Sequence, residues 1–284
     1  MSRLSEEFTI GTVRVAALSD GAPDRALGGF FHGIEPERWM TELGITDPET
    51  PVPFNFGTFL IRDGSRTILV DSGFGAPART MGIPGGGELL QRIEDLGVRR
   101  EEIDSVVHTH LHPDHCGWNV QEGDELTFPN ATIYVASAEL DFWLNSTDAP
   151  QDRATVARAQ TVPYEVAARI QTFDGEYEVS PGLTTIPTPG HTPGHTSLML
   201  ASGGEHLVIT GDAAHHPVHF EHHDWIPGVD LEPEQSKASR GRLSQLAADR
   251  DALVTGGHFP ILTLGRVKRV AGGYAWEYVR RVEA

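Results

Sequence analysis

His110-Leu111-His112-Pro113-Asp114-His115 places four potential metal ligands within six residues, directly after Ile103-Asp104-Ser105-Val106-Val107, a run that reads as a buried strand. Imidazole and carboxylate together suit zinc and similar divalent ions, and His-x-His on an extended segment projects two imidazoles toward one point. Asp114 and His115 then face a second point. A single tetrahedral ion rarely takes four ligands from so short a loop, so the crowding predicts two neighbouring metals. A histidine-rich surface loop is the alternative at this point.

Three downstream segments weigh against that alternative. Thr188-Pro189-Gly190-His191-Thr192-Pro193-Gly194-His195-Thr196 is a turn punctuated by Pro and Gly that holds a histidine at the end of a loop, and either His191 or His195 can be read as that histidine. Gly211-Asp212 terminates the apolar strand Leu207-Val208-Ile209-Thr210, where a carboxylate followed by the small Ala213 and Ala214 can sit between two cations. Gly256-Gly257-His258 again follows an apolar run, Ala252-Leu253-Val254. Three separate loops, each after a strand, carry a ligand-type residue.

The order His-x-His-x-Asp-His, Gly-His, Gly-Asp, Gly-His resembles the metallo-β-lactamase superfamily over most of the chain. The resemblance implies an α/β fold, an αββα sandwich in a single domain spanning 1–284, with a dinuclear site on its upper edge. Carried over residue by residue, it implies that His110, His112 and His195 hold one metal, that Asp114, His115 and His258 hold the other, and that Asp212 bridges them. The family pattern puts the loop ligand at the last histidine of His-Thr-Pro-Gly-His, which leaves His191 as a loop-stabilising or supporting group.

Composition agrees with one soluble domain: 284 residues, 39% hydrophobic, without a Pro/Ser linker or repeat. Neither a membrane-length apolar run nor a secretory signal is visible, so the expected address is the cytoplasm. The lone cysteine, Cys116, reads as a small buried thiol. Net charge of −18, from 40 acids against 22 bases, disfavours nucleic acid as a partner, because backbone recognition needs a clustered basic face. Two divalent cations would reverse that sign locally and hold an oxyanion or a carbonyl oxygen.

Along the chain, Thr12 to Leu18 alternates as a strand, and Phe59 to Gly73 reads as a hairpin turning at Asp63-Gly64. Asp71 closes that hairpin, as a support for the metal loop or as an ordinary Asx turn. Glu88 to Leu96 and Glu234 to Leu246 read as helices, Ala131 to Ala136 as a strand, and Ser137 as the N-cap of a helix that carries Leu140 on its inner face. The final Gly265 to Ala284 suggests strands and a short helix. Segment 20–53 carries Phe30, Phe31, Trp39 and Met40, too aromatic for a solvated linker. It reads as a lid or homodimer contact, or as packing on its own domain.

Within the superfamily the chain is most similar to the branch of N-acyl homoserine lactone lactonases and methyl parathion hydrolase. The cysteine ligand of the two-metal β-lactamases and the basic helical domain of glyoxalase II are not seen. Ala138-Glu139-Leu140-Asp141-Phe142-Trp143 is similar to a segment that supplies a pocket tryptophan in methyl parathion hydrolase, which makes Trp143 a candidate pocket wall with Phe142, Phe30, Phe31 and Trp118 beside it. His215 stands three residues past Asp212, where lactonases of this branch often have a tyrosine that contacts substrate. Of the nearby His216, His219, His222 and His223, most read as exposed.

The expectation is a dinuclear hydrolase in which a metal-bridged hydroxide attacks a lactone or carboxylic ester, with Asp114 shuttling a proton and His215 contacting a small-molecule substrate. Two divalent ions per chain are expected, zinc first, with Mn2+, Co2+ or Fe2+ accepted by the same ligand types. A phosphotriesterase, a thioester hydrolase and a non-catalytic metal-binding protein are the alternatives. The last is disfavoured because all seven ligands are present.

Overall fold

Gly57–Asp63 and Arg66–Val70 form an antiparallel hairpin whose side chains alternate between two apolar environments. Phe59, Ile61, Ile68 and Val70 point into one buried cluster, while Leu60 and Leu69 point into another. A strand apolar on both faces must be covered on both. Leu207 and Ile209 against Val208 repeat the pattern in the chain's second half.

The coverage is supplied by two seven-stranded sheets stacked face to face in a computed structural model that describes residues 5–26, 30–64, 66–121, 125–260 and 263–280. The first sheet runs Ser5–Ile10, Val13–Ser19, Gly57–Asp63, Arg66–Val70, Ser105–Val107, Thr132–Ala136, Ile170–Phe173, and is parallel from its fourth strand onward. The second runs Glu178–Ser180, Leu183–Pro187, Thr196–Ser202, Glu205–Ile209, Leu253–Thr255, Leu264–Val270, Gly273–Arg280, with only Glu205–Ile209 and Leu253–Thr255 parallel. Helices Leu89–Asp95, Ser137–Asn145 and Gln151–Thr161 cover the outer face of the first sheet, and Pro233–Asp249 that of the second. This is the expected αββα sandwich.

Details differ from the sequence reading. Ala136, not Ser137, is the N-cap, and Ser137 donates its hydroxyl to the Phe173 carbonyl across to the neighbouring strand. The C-terminal segment is a strand hairpin without a helix among its described residues. From Phe30 to Val52 the chain packs on itself. Phe31 and Trp39 are buried with Val218 and Trp225, and Phe31–His32 pairs with Ile226–Pro227. The segment thereby forms a small subcluster against the 218–227 region.

Candidate metal centre

The parallel strands end at one edge, and their carboxyl ends carry the chemistry, as is general for open α/β sheets. Asp71 follows Arg66–Val70, His110 and His112 follow Ser105–Val107, Asp212 follows Glu205–Ile209, and His258 follows Leu253–Thr255. The helical turn Pro113–Cys116 supplies Asp114 and His115. Among the described residues, one group of ligand atoms comes from His110, His112, His191 and Asp212, and a second from Asp114, His115 and His258.

In the first group His112 Nδ1 lies 3.0 Å from His110 Nε2 and 2.9 Å from His191 Nε2. Ligands about 2.05 Å from a tetrahedral ion are separated by about 3.3 Å, so the three nitrogens are spaced for one cation. The Asp212 carboxylate lies between the groups. Its Oδ2 is 3.2 Å from His191 Nε2 and 3.0 Å from His258 Nε2, and its Oδ1 is 3.3 Å from His115 Nε2. Both Asp212 Oδ1 and His115 Nε2 are buried without a hydrogen-bond partner, a costly condition that a cation between them removes. Burial, with the neighbouring imidazoles, holds the pKa of His110 and His112 well below that of free imidazole, in the neutral state a ligand requires. The residues fit a pair of divalent ions.

The structure corrects one assignment. His191, rather than His195, joins the first group, and His195 belongs to neither. His195 Nε2 accepts the Asp212 backbone N–H at 2.8 Å, and its Nδ1 faces Thr188 Oγ1 and the Thr188 carbonyl, so both nitrogens are committed to holding the loops. Each histidine follows a glycine that a backbone approaches closely: a Cβ at Gly190, whose φ is +136°, would lie 2.1 Å from the Ser236 nitrogen, and one at Gly194 2.1 Å from the Glu139 nitrogen.

Supporting bonds fix the ligand orientations. Asp71 Oδ1 accepts the Thr109 N–H, and its Oδ2 accepts the Thr109 hydroxyl and faces His115 Nδ1 at 2.8 Å; Thr109 Oγ1 in turn faces His110 Nδ1. Asp71 thus orients two ligands, and its own φ of +58° is an uncommon backbone state for a non-glycine residue. Burial works to raise its pKa, but His115 and His108 outweigh it and hold the carboxyl at about 2. His191 Nδ1 is held by Asp230, which also accepts Ser236 Oγ, and His258 Nδ1 by the Asn55 carbonyl.

Sequence reasoning passed over Glu139 as a site residue. Its buried carboxylate takes four donors: Leu111 N and Trp143 Nε1 on Oε1, Thr192 Oγ1 and Gly194 N on Oε2. Leu111 lies between His110 and His112, and Thr192 follows His191, so one side chain ties the two loops together. The available signal was an acid four residues before a tryptophan on one helix face.

Above the ligand groups lies a pocket of about 230 Å³. Phe30, Phe54, Phe56, Phe74 and Val229 wall one side, and Asp152 and Arg153 stand on its rim. Phe54 stacks on His258 at 4.1 Å, and His215, its ring parallel to that of His258 at 5.3 Å, has Nε2 3.3 Å from Asp212 Oδ2. Of the expected aromatic wall only Phe30 lines this pocket. Trp143 is fully buried behind His112 and bonded to Glu139, Phe142 packs against the helical core, Trp118 is tied to Asp20, and Phe31 lies under Trp225. Indole N–H groups inside a core need an acceptor, and those acceptors lie inward. His219 is also buried and accepts the His215 N–H. A larger cleft of about 480 Å³, near Arg66, Asp104 and Glu178, lies at the amino ends of the strands, away from every ligand.

Comparison with known proteins agrees with this geometry. The profile of the family described as Metallo-beta-lactamase superfamily matches residues 58–258. N-acyl homoserine lactonase AttM of Rhizobium radiobacter is 30% identical over 242 residues, covering 78% of this chain and 86% of that protein. An N-acyl homoserine lactonase of Bacillus cereus is 29% identical over 167 residues, and the match spans 60% of its length. Among solved structures AidC, a dizinc quorum-quenching lactonase in complex with a product, superposes with a TM-score of 0.85 over 99% of both chains at 24% identity, a likeness of fold.

Proposed function

The chain belongs to the metallo-β-lactamase superfamily, and from that premise we propose that it is a dinuclear metal-dependent hydrolase of lactones and carboxylic esters. The observation that carries the reading is the Asp212 carboxylate, within 3.3 Å of imidazoles from both ligand groups and open to an aromatic pocket. Two divalent ions held there would supply an activated water at neutral pH and polarisation of a carbonyl oxygen. His110, His112 and His191 would hold one ion, and Asp114, His115 and His258 the other, with Asp212 shared.

The remaining chemistry falls to this chain's own side chains. Asp114, the most exposed of the ligand carboxylates and 3.4 Å from His258 Nε2, is placed to pass a proton to the departing oxygen. His215 reaches the same space and can donate to the substrate's carbonyl or leaving oxygen. Phe30, Phe54, Phe56 and Phe74 bury an acyl group and exclude water around it. The relatives AttM and the Bacillus cereus enzyme are both N-acyl homoserine lactonases by name. The reading takes zinc as the ion, a cytoplasmic setting and a homodimer, with segment 20–53 as a partial lid through Phe30. No helix among the described residues is long and apolar enough to cross a membrane.

A hydrolysis panel on metal-replete protein tests the proposal across lactones, aryl esters, phosphotriesters, β-lactams and thioesters. A lactone or ester should show the highest kcat/KM. An aryl phosphotriester cleaved with higher kcat/KM than any lactone or ester would replace this reading with a phosphotriesterase.

A further inference from the structure

Arg153, on helix Gln151–Thr161, directs its Nη1 to within 3.1 Å of His112 Nε2. The side of the His112 ring that faces the ligand group is settled by distance: it is Nδ1 that approaches His110 and His191. A neutral imidazole carries one hydrogen, so with Nδ1 given to an ion the hydrogen sits on Nε2. His112 Nε2–H and the guanidinium are then both donors. Neither can satisfy the other, and an oxygen acceptor must serve both.

Among the described residues no carboxylate lies within ion-pair distance of Arg153, nor of Arg25, which also lines the pocket and whose guanidinium rests on the Phe54 ring at 4.8 Å. Two arginines without acidic partners stand at one pocket in a chain of net charge −18 with only 22 bases. The carboxylates lining that pocket are Asp114, Asp152 and Asp212. Asp114 and Asp212 are the groups assigned to the ions, so Asp152 is the lone acid left to oppose an incoming anion.

We infer that Arg153 and His112 Nε2–H form a two-donor site for an oxygen acceptor that the substrate carries outside its scissile group, a carboxylate in preference to a neutral carbonyl. A guanidinium fork matches the two oxygens of a carboxylate, and charge-assisted bonds are the stronger kind. The inference rests on the lactone and ester reading and refines it. The pocket lining combines four phenylalanines with Arg25 and Arg153, so its substrate has an apolar acyl portion and a polar group that reaches Arg153.

The test uses metal-replete protein and three γ-lactones that differ only at the end of one side chain: methyl, carboxamide or carboxylate. In the wild type, kcat/KM should rise in that order, by roughly 10-fold to 100-fold from first to last. Arg153→Gln should bring the three within about threefold of one another with unchanged metal content, while Arg153→Lys retains part of the order. Calorimetric binding of the matching γ-lactams, which are not turned over, should show the same preference in wild type and none in Arg153→Gln. Wild-type rates and affinities indifferent to the side-chain end, or an order that survives Arg153→Gln, overturn the inference. If no lactone is hydrolysed but the carboxylate lactam binds selectively through Arg153, the lactonase reading falls and the two-donor site stands.

Discussion

Replacing Glu139 should damage both the fold and the metal site, although Glu139 touches no ion. Its carboxylate is fully buried and satisfies Leu111 N, Trp143 Nε1, Thr192 Oγ1 and Gly194 N. Each buried donor stripped of its acceptor costs about 1 kcal/mol or more, so Glu139→Ala should lose about 4 kcal/mol of stability, less whatever an entering water restores. Glu139→Gln keeps one oxygen for two of the donors and turns an amide N–H toward Gly194 N–H, for a loss of about 1.5–3 kcal/mol. Because the bonds span the His110-x-His112 and His191 loops, the affinity for the first ion should also fall, by roughly 10-fold to 100-fold as for other groups that orient ligands. Urea denaturation of the metal-free proteins reads the first quantity, and competition with a chromophoric chelator reads the second. An alanine variant within about 1 kcal/mol of wild type and with unchanged metal affinity would refute the reasoning.

Three other outcomes follow from the geometry. His191→Ala should lose the first ion, whereas His195→Ala should retain both ions and lose stability, since His195 holds the Asp212 backbone; elemental analysis of the two variants separates them. His215→Ala should lower kcat/KM on lactones by roughly 10-fold to 100-fold with metal content unchanged, the loss expected for one hydrogen bond to the reacting group. Burial raises the pKa of Asp20 to about 6 from 3.8, against the pull of Gly75, Leu89, Trp118 and Arg92. The folded state therefore keeps a proton that the unfolded chain releases, so this stabilisation is complete below pH 3.8 and is lost as pH rises through about 6. About two pKa units correspond to about 3 kcal/mol, and wild-type stability measured relative to Asp20→Asn should fall by up to that amount between pH 4 and 7; a difference constant with pH would contradict it.

Much of the site was legible because strands and metal ligands leave local marks. His110, His112, Asp114 and His115 crowd one loop, and Asp212 and His258 each stand at the end of an apolar run. The choice between His191 and His195 was not legible. Both histidines follow a Pro-Gly pair, and only their distant partners separate them: His112 and Asp230 for His191, Thr188 and the Asp212 backbone for His195. The pocket wall likewise differs from the sequence expectation: Trp143 and Trp118 are conspicuous in sequence, but their N–H groups are drawn inward to Glu139 and Asp20. Phe54, Phe56 and Phe74, which do line the pocket, lie in loops without a periodic signal. Glu139 and Arg153 are single charged residues on helices, and only the tertiary fold distinguishes them from solvated ones.

The most direct test of the central claim is a metal titration followed by activity. Chelated protein is reloaded with zinc in steps, and lactone hydrolysis is measured at each step beside bound metal. The account predicts no hydrolysis without metal and a rate that reaches its plateau at two ions per chain. A plateau at one ion, or hydrolysis that persists in the metal-free protein, would contradict it.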